Sequence, residues 1–303
     1  MSKNINTTDI YKFDEHHQRL FNMDFDGVPD RSKGVKNVVA MQDLLSLTGK
    51  TAIVTGGARG LGLNVVNRLA EAGACVVIVD IAVDFAESAI EFFNSKNYSV
   101  KFIKTDIRDM DQIQAAVDFA VKEFGGLDIL VNLATVYNYK HFFDFTEAEY
   151  DLCLDVILKA TFFFTQIAGK QMEKQGTGGK IVNVSSVAAY SMESYEGRTT
   201  PYVAAKGGML ALSRSLTREL KPKGITINTV APGGMVTSSG AHMSISGRMA
   251  PDIRALKDSF PKVPVADPDE VARVIYMMTT DVASYMHGAD VVVDGGTRWC
   301  LTE

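Results

Sequence analysis

From Lys50 onward, seven short and almost wholly apolar runs alternate with longer amphipathic stretches, a rhythm that few folds accept. The runs fall at residues 51–55, 75–80, 100–105, 128–132, 180–185, 225–230 and 289–294. A strand with one face in water alternates apolar and polar residues. These runs do not, so both faces must be covered, as in a parallel sheet held between helices. Helical periodicity occupies 61–72, 83–96, 110–124, 146–174, 202–221 and 269–279. Strands linked by right-handed helical crossovers place those helices on both sheet faces and the ligand-facing turns at the carboxyl ends of the strands. The expectation is an α/β protein with a doubly wound, seven-stranded parallel sheet. A single domain, 47–303, would follow an N-terminal extension, 1–46. No internal repeat or low-complexity tract is visible.

The first strand runs into Thr55-Gly56-Gly57-Ala58-Arg59-Gly60-Leu61-Gly62. Glycines at 56, 60 and 62 permit a tight turn and close backbone approach, and the free N–H groups of the helix opening at Leu61 suit a pyrophosphate. A glycine-rich turn alone is weak evidence, but here it follows a strand and opens a helix, the context of a Rossmann-type dinucleotide site. The next strand ends at Asp80, about 20 residues on, where a carboxylate accepts hydrogen bonds from the adenosine ribose. Arg59 could instead meet the 2′-phosphate of NADP. A carboxylate about 4 Å from a phosphate costs on the order of 4 kcal/mol per charge pair at an effective dielectric near 20, whereas an exposed Arg contact returns about 1 kcal/mol or less. The expected cofactor is therefore NAD (NADH) rather than NADP.

Further along stand Ser186, Tyr202 and Lys206. Tyr202 and Lys206, four apart, share one helix face, so the ammonium can stabilise a phenolate and bring the tyrosine below its ordinary pKa of about 10. A tyrosine tuned in this way exchanges a proton with an alcohol near neutral pH without a metal. Alone, the pair reads more simply as an amphipathic helix with an exposed lysine. The glycine turn and Ser186 reverse that reading.

Composition excludes several other classes. With 46% hydrophobic residues among 303, the chain can bury a full core, and a net charge of −5 without a dense Lys/Arg cluster argues against a nucleic-acid surface. Cys75, Cys153 and Cys300 lie far apart with no C-x-x-C, and the five histidines, including the pair His16-His17, lack zinc-ligand spacing. No structural metal and no disulfide framework are expected, and the compartment reads as reducing. No N-terminal apolar segment has the form of a secretory signal, and no stretch approaches the roughly 20 apolar residues of a membrane span. A cytoplasmic protein with no membrane and no nucleic-acid partner is expected.

Taken in order, these motifs resemble those of the short-chain dehydrogenase/reductase family from about Leu47 to the C-terminus. Thr55-Gly56-x-x-x-Gly60-x-Gly62 is similar to the family's cofactor turn, and Asp106-Ile107 after the third strand to its adenine contact. Asn132-Leu133-Ala134-Thr135 stands where the family usually has Asn-Asn-Ala-Gly. Pro232-Gly233-Gly234-Met235-Val236-Thr237 resembles the segment holding the nicotinamide carboxamide, and Val293-Asp294-Gly295-Gly296 closes the last strand as in the family. The resemblance implies Tyr202 as general acid/base and Ser186 as the hydrogen-bond donor that steadies the substrate oxygen. Lys206 would lower the tyrosine pKa and hold the nicotinamide ribose. Ser185 is expected only to cap the strand end. The cofactor contacts carried over are Gly56, Arg59, Gly60, Leu61, Gly62, Asp80, Asp106, Ile107, Asn132, Ala134, Tyr202, Lys206, Pro232, Gly233, Met235 and Thr237.

Two departures stand out. Ile157 occupies the place of an asparagine that belongs, in the family, to a proposed water relay leading to the lysine. Its absence implies either a relay through backbone carbonyl and water or an impaired enzyme. Thr135 replaces a glycine close to the nicotinamide side. Residues 238–263 would form a lid whose Met243, Ile245, Met249, Ile253, Leu256 and Phe260, with Met235 before it, suit a large apolar ligand. Such a stripe is as often ordinary lid packing. The interval between Ser186 and Tyr202 is longer than the family's usual one and holds Tyr190, Met192, Glu193 and Tyr195, which would reshape one pocket wall. The N-terminal stretch carries Tyr11, Phe13, Leu20, Phe21, Met23 and Phe25, too apolar for a purely solvating tail. It resembles the arm of bacterial 20β-hydroxysteroid dehydrogenases and would dock on the core or a neighbouring subunit, in a homo-oligomer, dimer or tetramer. The reading is thus an NAD(H)-dependent oxidoreductase that interconverts a secondary alcohol and a ketone on a bulky apolar substrate such as a hydroxysteroid. A 3-oxoacyl thioester or a sugar or polyol is the alternative substrate. From another class, a non-catalytic NADH sensor or assembly protein stays open.

Overall fold

A computed structural model describes residues 39–136, 138–190, 199–235 and 265–296. The N-terminal arm, Met192, Glu193 and Tyr195, Thr237 and the lid residues lie outside them. Two units separate between Ala40 and Met41, and the second holds every element below. It opens with a short helix, α1 (Met41–Leu45), whose Leu45 carbonyl accepts a hydrogen bond from the Tyr276 hydroxyl.

The seven apolar runs form strands β1 (Thr51–Thr55), β2 (Cys75–Asp80), β3 (Val100–Lys104), β4 (Ile129–Asn132), β5 (Gly179–Val184), β6 (Ile225–Pro232) and β7 (Asp290–Val293). All pair in parallel, in the order β3-β2-β1-β4-β5-β6-β7. The order reverses between β1 and β4, and the crevice beyond their carboxyl ends is the expected ligand position. The helices are α2 (Gly60–Glu71), α3 (Val83–Ser95), α4 (Met110–Phe124), α5 (Glu147–Leu154), α6 (Ala160–Gln175), α7 (Thr200–Leu220) and α8 (Pro268–Thr279).

Alternate residues of each strand feed opposite faces. Ala52, Val54, Val76, Ile78, Val131, Val182 and Val230 pack with α2, α3 and α8, while Ile53, Val77, Val79, Leu130, Ile181 and Ile227 pack with α4 and α6. This two-sided burial is why the runs show no polar alternation. Helix starts follow local chemistry: Asp109 accepts from the N–H groups of Asp111 and Gln112, and capping boxes join Thr146 to Glu149 and Asp267 to Glu270.

The single helix expected over 146–174 is not continuous. α5 and α6 are joined by a π-helical turn, Asp155–Lys159, which adds a residue to the helical path. This stretch, Glu147–Gln175, is also long and apolar enough to cross a membrane, which corrects the expectation that none comes near. Its Phe164, Ala168 and Met172 are fully covered by the sheet and its neighbours, so the apolar face belongs to a core helix.

Candidate active site

The glycine turn is shaped by close approach. Gly56 has φ +70°, and a Cβ there would sit 2.9 Å from the Cα of Ala134. A Cβ on Gly62 would lie 2.0 Å from the Gly56 carbonyl oxygen, a distance no side chain tolerates. α2 therefore begins directly over the turn, capped by Arg59 without a side-chain hydrogen bond, and Leu61 is buried beneath it. The first-turn N–H groups have no intrahelical partner and leave a positive pole at the mouth of the crevice. The Thr55 hydroxyl accepts from the N–H groups of Leu133 and Ala134, at 2.9 and 3.1 Å, which ties the end of β1 to the segment after β4.

Asp80, at the end of β2, receives the Ala58 N–H on one carboxylate oxygen at 3.1 Å and the Ala82 N–H on the other at 3.0 Å. It thus holds the glycine turn to the start of the segment after β2. Arg59 turns to α3, where its guanidinium carbon lies 5.2 Å from the ring centroid of Phe85. Asp106 is gripped by Arg108, whose guanidinium hydrogen-bonds both carboxylate oxygens and holds the carboxyl below its ordinary range. Ile107 packs against the cluster under α4.

The Asn132 side chain is committed to the interior. Its amide donates to Asn183 Oδ1 at 2.8 Å and Thr165 Oγ1 at 3.2 Å, and Asn183 donates to Ser213 Oγ at 2.9 Å. This buried chain joins α6, β4, β5 and α7. It is the polar element that sequence reasoning missed, and its one visible signal is an asparagine inside an otherwise apolar strand.

β5 leads into Ser186, and α7 carries Tyr202 and Lys206. Ser186 follows β5 and caps the short turn Val187–Ala189, its hydroxyl accepting from the Ala188 N–H at 3.1 Å. The Ser185 hydroxyl donates to the Lys206 carbonyl at 3.0 Å, and Lys206 Nζ donates to the Val184 carbonyl at 2.6 Å. These two bonds clamp α7 onto the end of β5, at the two residues that precede Ser186. The Lys206 nitrogen lies 5.7 Å from the Tyr202 ring centroid. Lys206 is 2% exposed, and burial brings its pKa down to about 7 against a smaller upward pull from Cys153.

Behind Lys206, Ile157 sits on the π-helical turn among Cys153, Ala205 and Met209. The place of the absent asparagine is thus filled by apolar packing. The Cys153 thiol is pushed up to about 11 by burial, with Lys206 acting in the opposite sense, so it is a packing group. A small cavity beside Tyr202 is lined by Val136, Asn138, Phe145, Glu149, Cys153 and Pro201. Asn138 donates to Glu149 at 3.0 Å, and Lys140 pairs with the same carboxylate at 2.5 Å. Burial pushes the Glu149 carboxyl up, but the bonds from Lys140 and Thr146 outweigh it and hold the group low.

At the other side of the crevice, Pro232 ends β6, and the Gly233 N–H donates to the Val293 carbonyl at 2.9 Å. A Cβ on Gly233 would meet the Asp294 Cα at 2.8 Å. Met235 bridges to Ala266. Among the described residues no group of three His, Cys, Asp or Glu side chains is placed to hold a metal ion.

The chain matches the short chain dehydrogenase family over residues 50–245. It is 34% identical to the D-threitol dehydrogenase of Mycolicibacterium smegmatis over 82% of this chain and 93% of that protein. It is 33% identical to the 2-dehydro-3-deoxy-D-gluconate 5-dehydrogenase of Escherichia coli over 83% of this chain and 96% of that protein. A crystal structure of a short-chain type dehydrogenase/reductase from Mycobacterium marinum, 26% identical, superposes with a TM-score of 0.76 over 85% of this chain and 98% of the other.

Proposed function

The chain belongs to the short-chain dehydrogenase family, and from that premise we propose that it is an NAD(H)-dependent oxidoreductase interconverting a secondary alcohol and a ketone. Membership makes it an oxidoreductase that uses a nicotinamide dinucleotide, NAD or NADP, on a small-molecule substrate. The turn that only glycine can make at Gly62, with the open N-terminus of α2 above it, fits a pyrophosphate. Asp80 would accept hydrogen bonds from a ribose diol, and Gly233, packed against Asp294, and Met235, bridged to Ala266, would border the nicotinamide end. A bound nicotinamide supplies or accepts the hydride.

The chain's own groups handle the proton. In the reducing direction Tyr202 Oη gives its proton to the substrate oxygen while the Ser186 hydroxyl donates a hydrogen bond to the same atom. Lys206, poorly solvated and fixed on the Val184 carbonyl, stabilises the phenolate that remains. The observation that supports this reading is the clamp of α7 on β5, which holds Lys206 near the Tyr202 ring and against Val184 and Ser185, the residues just before Ser186.

On substrate class, the names of the two relatives support a small hydroxylated compound, a polyol or keto sugar, and the polar groups Asn138 and Glu149 next to Tyr202 agree with it. The bulky apolar reading, with a hydroxysteroid as its example, rests on side chains outside the described residues and ranks second. Turnover of polyols, keto sugars and steroids with NADH and NADPH separates the two. Tyr202→Phe is expected to lower kcat by at least about a hundredfold while leaving the NADH dissociation constant within about twofold. A variant that keeps most of its activity would sink the mechanism, and a wild-type protein that oxidises NADH with no ketone would leave the sensor reading standing.

A further inference from the structure

Arg59 and Asp80 make opposite demands on the dinucleotide, and the structure shows how the conflict is held. Ala58 donates its N–H to Asp80 at 3.1 Å, so Arg59, the next residue, leaves the backbone beside the carboxylate that, on the dinucleotide reading, would meet the ribose 2′ position. A guanidinium there would offset the repulsion between Asp80 and a 2′-phosphate. Yet Arg59 makes no ion pair with Asp80 or with any other carboxylate among the described residues. Its partner is the ring of Phe85, 5.2 Å from the guanidinium carbon, in the first turn of α3. Phe85 is 46% exposed, so its ring contributes little to the core and its face stays open to the guanidinium.

We propose that Phe85 is a specificity-determining residue: by keeping Arg59 over its ring it withholds the cation from the ribose 2′ position and leaves Asp80 to select the unphosphorylated dinucleotide. Capture of a 2′-phosphate by Arg59 would then cost whatever part of the ring contact the guanidinium gives up to reach it. The affinity for NADPH is reduced by that cost, and the affinity for NADH is not. Phe85 touches neither ligand; it acts through Arg59. This inference rests on the dinucleotide reading given above.

The test measures NADH and NADPH dissociation constants by fluorescence titration, without turnover, for the wild type, Phe85→Ala, Phe85→Leu, Arg59→Ala and Phe85→Ala/Arg59→Ala. Phe85→Leu keeps an apolar cover on α3 and removes the π face, so it guards against a merely local collapse in the alanine variant. Release of an exposed cation–π contact predicts that both Phe85 variants bind NADPH about two- to fivefold more tightly, with a smaller change for NADH. In the double variant, loss of Arg59 is expected to erase the gain. An unchanged NADPH/NADH ratio in both Phe85 variants overturns the proposal. So does weaker NADPH binding, because Phe85 would then be presenting Arg59 to the phosphate. A gain that survives in the double variant overturns it as well. A wild type that binds neither nucleotide instead removes the underlying reading.

Discussion

Lys206 is where the residue scale decides most. Its amine is fully buried against one carbonyl, and burial takes its pKa from the ordinary 10.5 down to about 7. The linkage follows directly. Between pH 7 and 10.5 the unfolded chain holds a proton on Lys206 that the folded, nucleotide-free chain has released, so this group adds stability as pH rises through that window. Below pH 7 both forms are protonated and the full cost of burying the ammonium weighs on the fold. Lys206→Met, which keeps the bulk and removes the charge, is therefore expected to raise the melting temperature of the nucleotide-free protein at pH 7, with the gain shrinking toward pH 10. Thermal melts of both proteins across that range check it; a gain that stays constant with pH would mean that Lys206 is not the titrating group. The i, i+4 spacing of Tyr202 and Lys206 is legible in the sequence because a helix fixes it. The contact of Arg59 with Phe85 is not, because it joins two surface side chains from different elements, and no periodicity marks such pairs.

At the scale of elements, the strands and most helices follow from the pattern of apolar residues, and the discrepancies are local. Asp128 lies just before β4 and serves as an acceptor for the Thr51 N–H, at 2.9 Å, while β6 runs on to Pro232 because its partner β7 continues to Val293. The π-helical turn is the larger surprise. A turn that adds one residue leaves the apolar periodicity of α5 and α6 separately intact, so a periodic reading sees one helix. Ile157 on that turn is fully buried with Cys153, Ala205 and Met209 and offers an amide no partner among them. Ile157→Asn, which restores the family's usual residue, is accordingly expected to lower stability by about 3 kcal/mol, the sum of lost apolar packing and a buried amide left short of partners. Ile157→Val should cost only about 1 kcal/mol. Denaturant midpoints at constant slope test the pair. An asparagine variant as stable as the wild type would show that the pocket behind Lys206 admits water, and a proton path through it would then be open.

Across the whole molecule, the fold closes by joining segments far apart in the chain. α8 packs along α2, the helix that the glycine turn opens, and Arg68 grips Asp269 through two hydrogen bonds of 2.7 Å, across 201 positions. Glu71 adds a third bond at 2.7 Å, and Asp267 starts α8 with a capping box. Arg68 is held above its ordinary range by these carboxylates, and the Asp269 carboxyl is held below its own by the same guanidinium. A fork between partly exposed groups contributes about 1 kcal/mol, more than a single surface pair but far less than the apolar seam of Val65, Leu69, Val271 and Ile275 beneath it. The sign of its pH dependence is set by Asp269. Because the folded-state pKa is lowered, the contribution is complete above the ordinary aspartate value of 3.8 and fades as pH falls through the lowered one. Asp269→Asn should thus lower stability by about 1 kcal/mol at pH 7 and progressively less as the solution is acidified below pH 4, while the seam keeps α8 in place. Urea midpoints at both pH values are the measurement. A deficit that persists undiminished in acid would assign the loss to the helix start at Asp267 rather than to the ion pair. A loss of several kcal/mol would mean that the fork, and not the apolar seam, holds α8 on the glycine-turn helix.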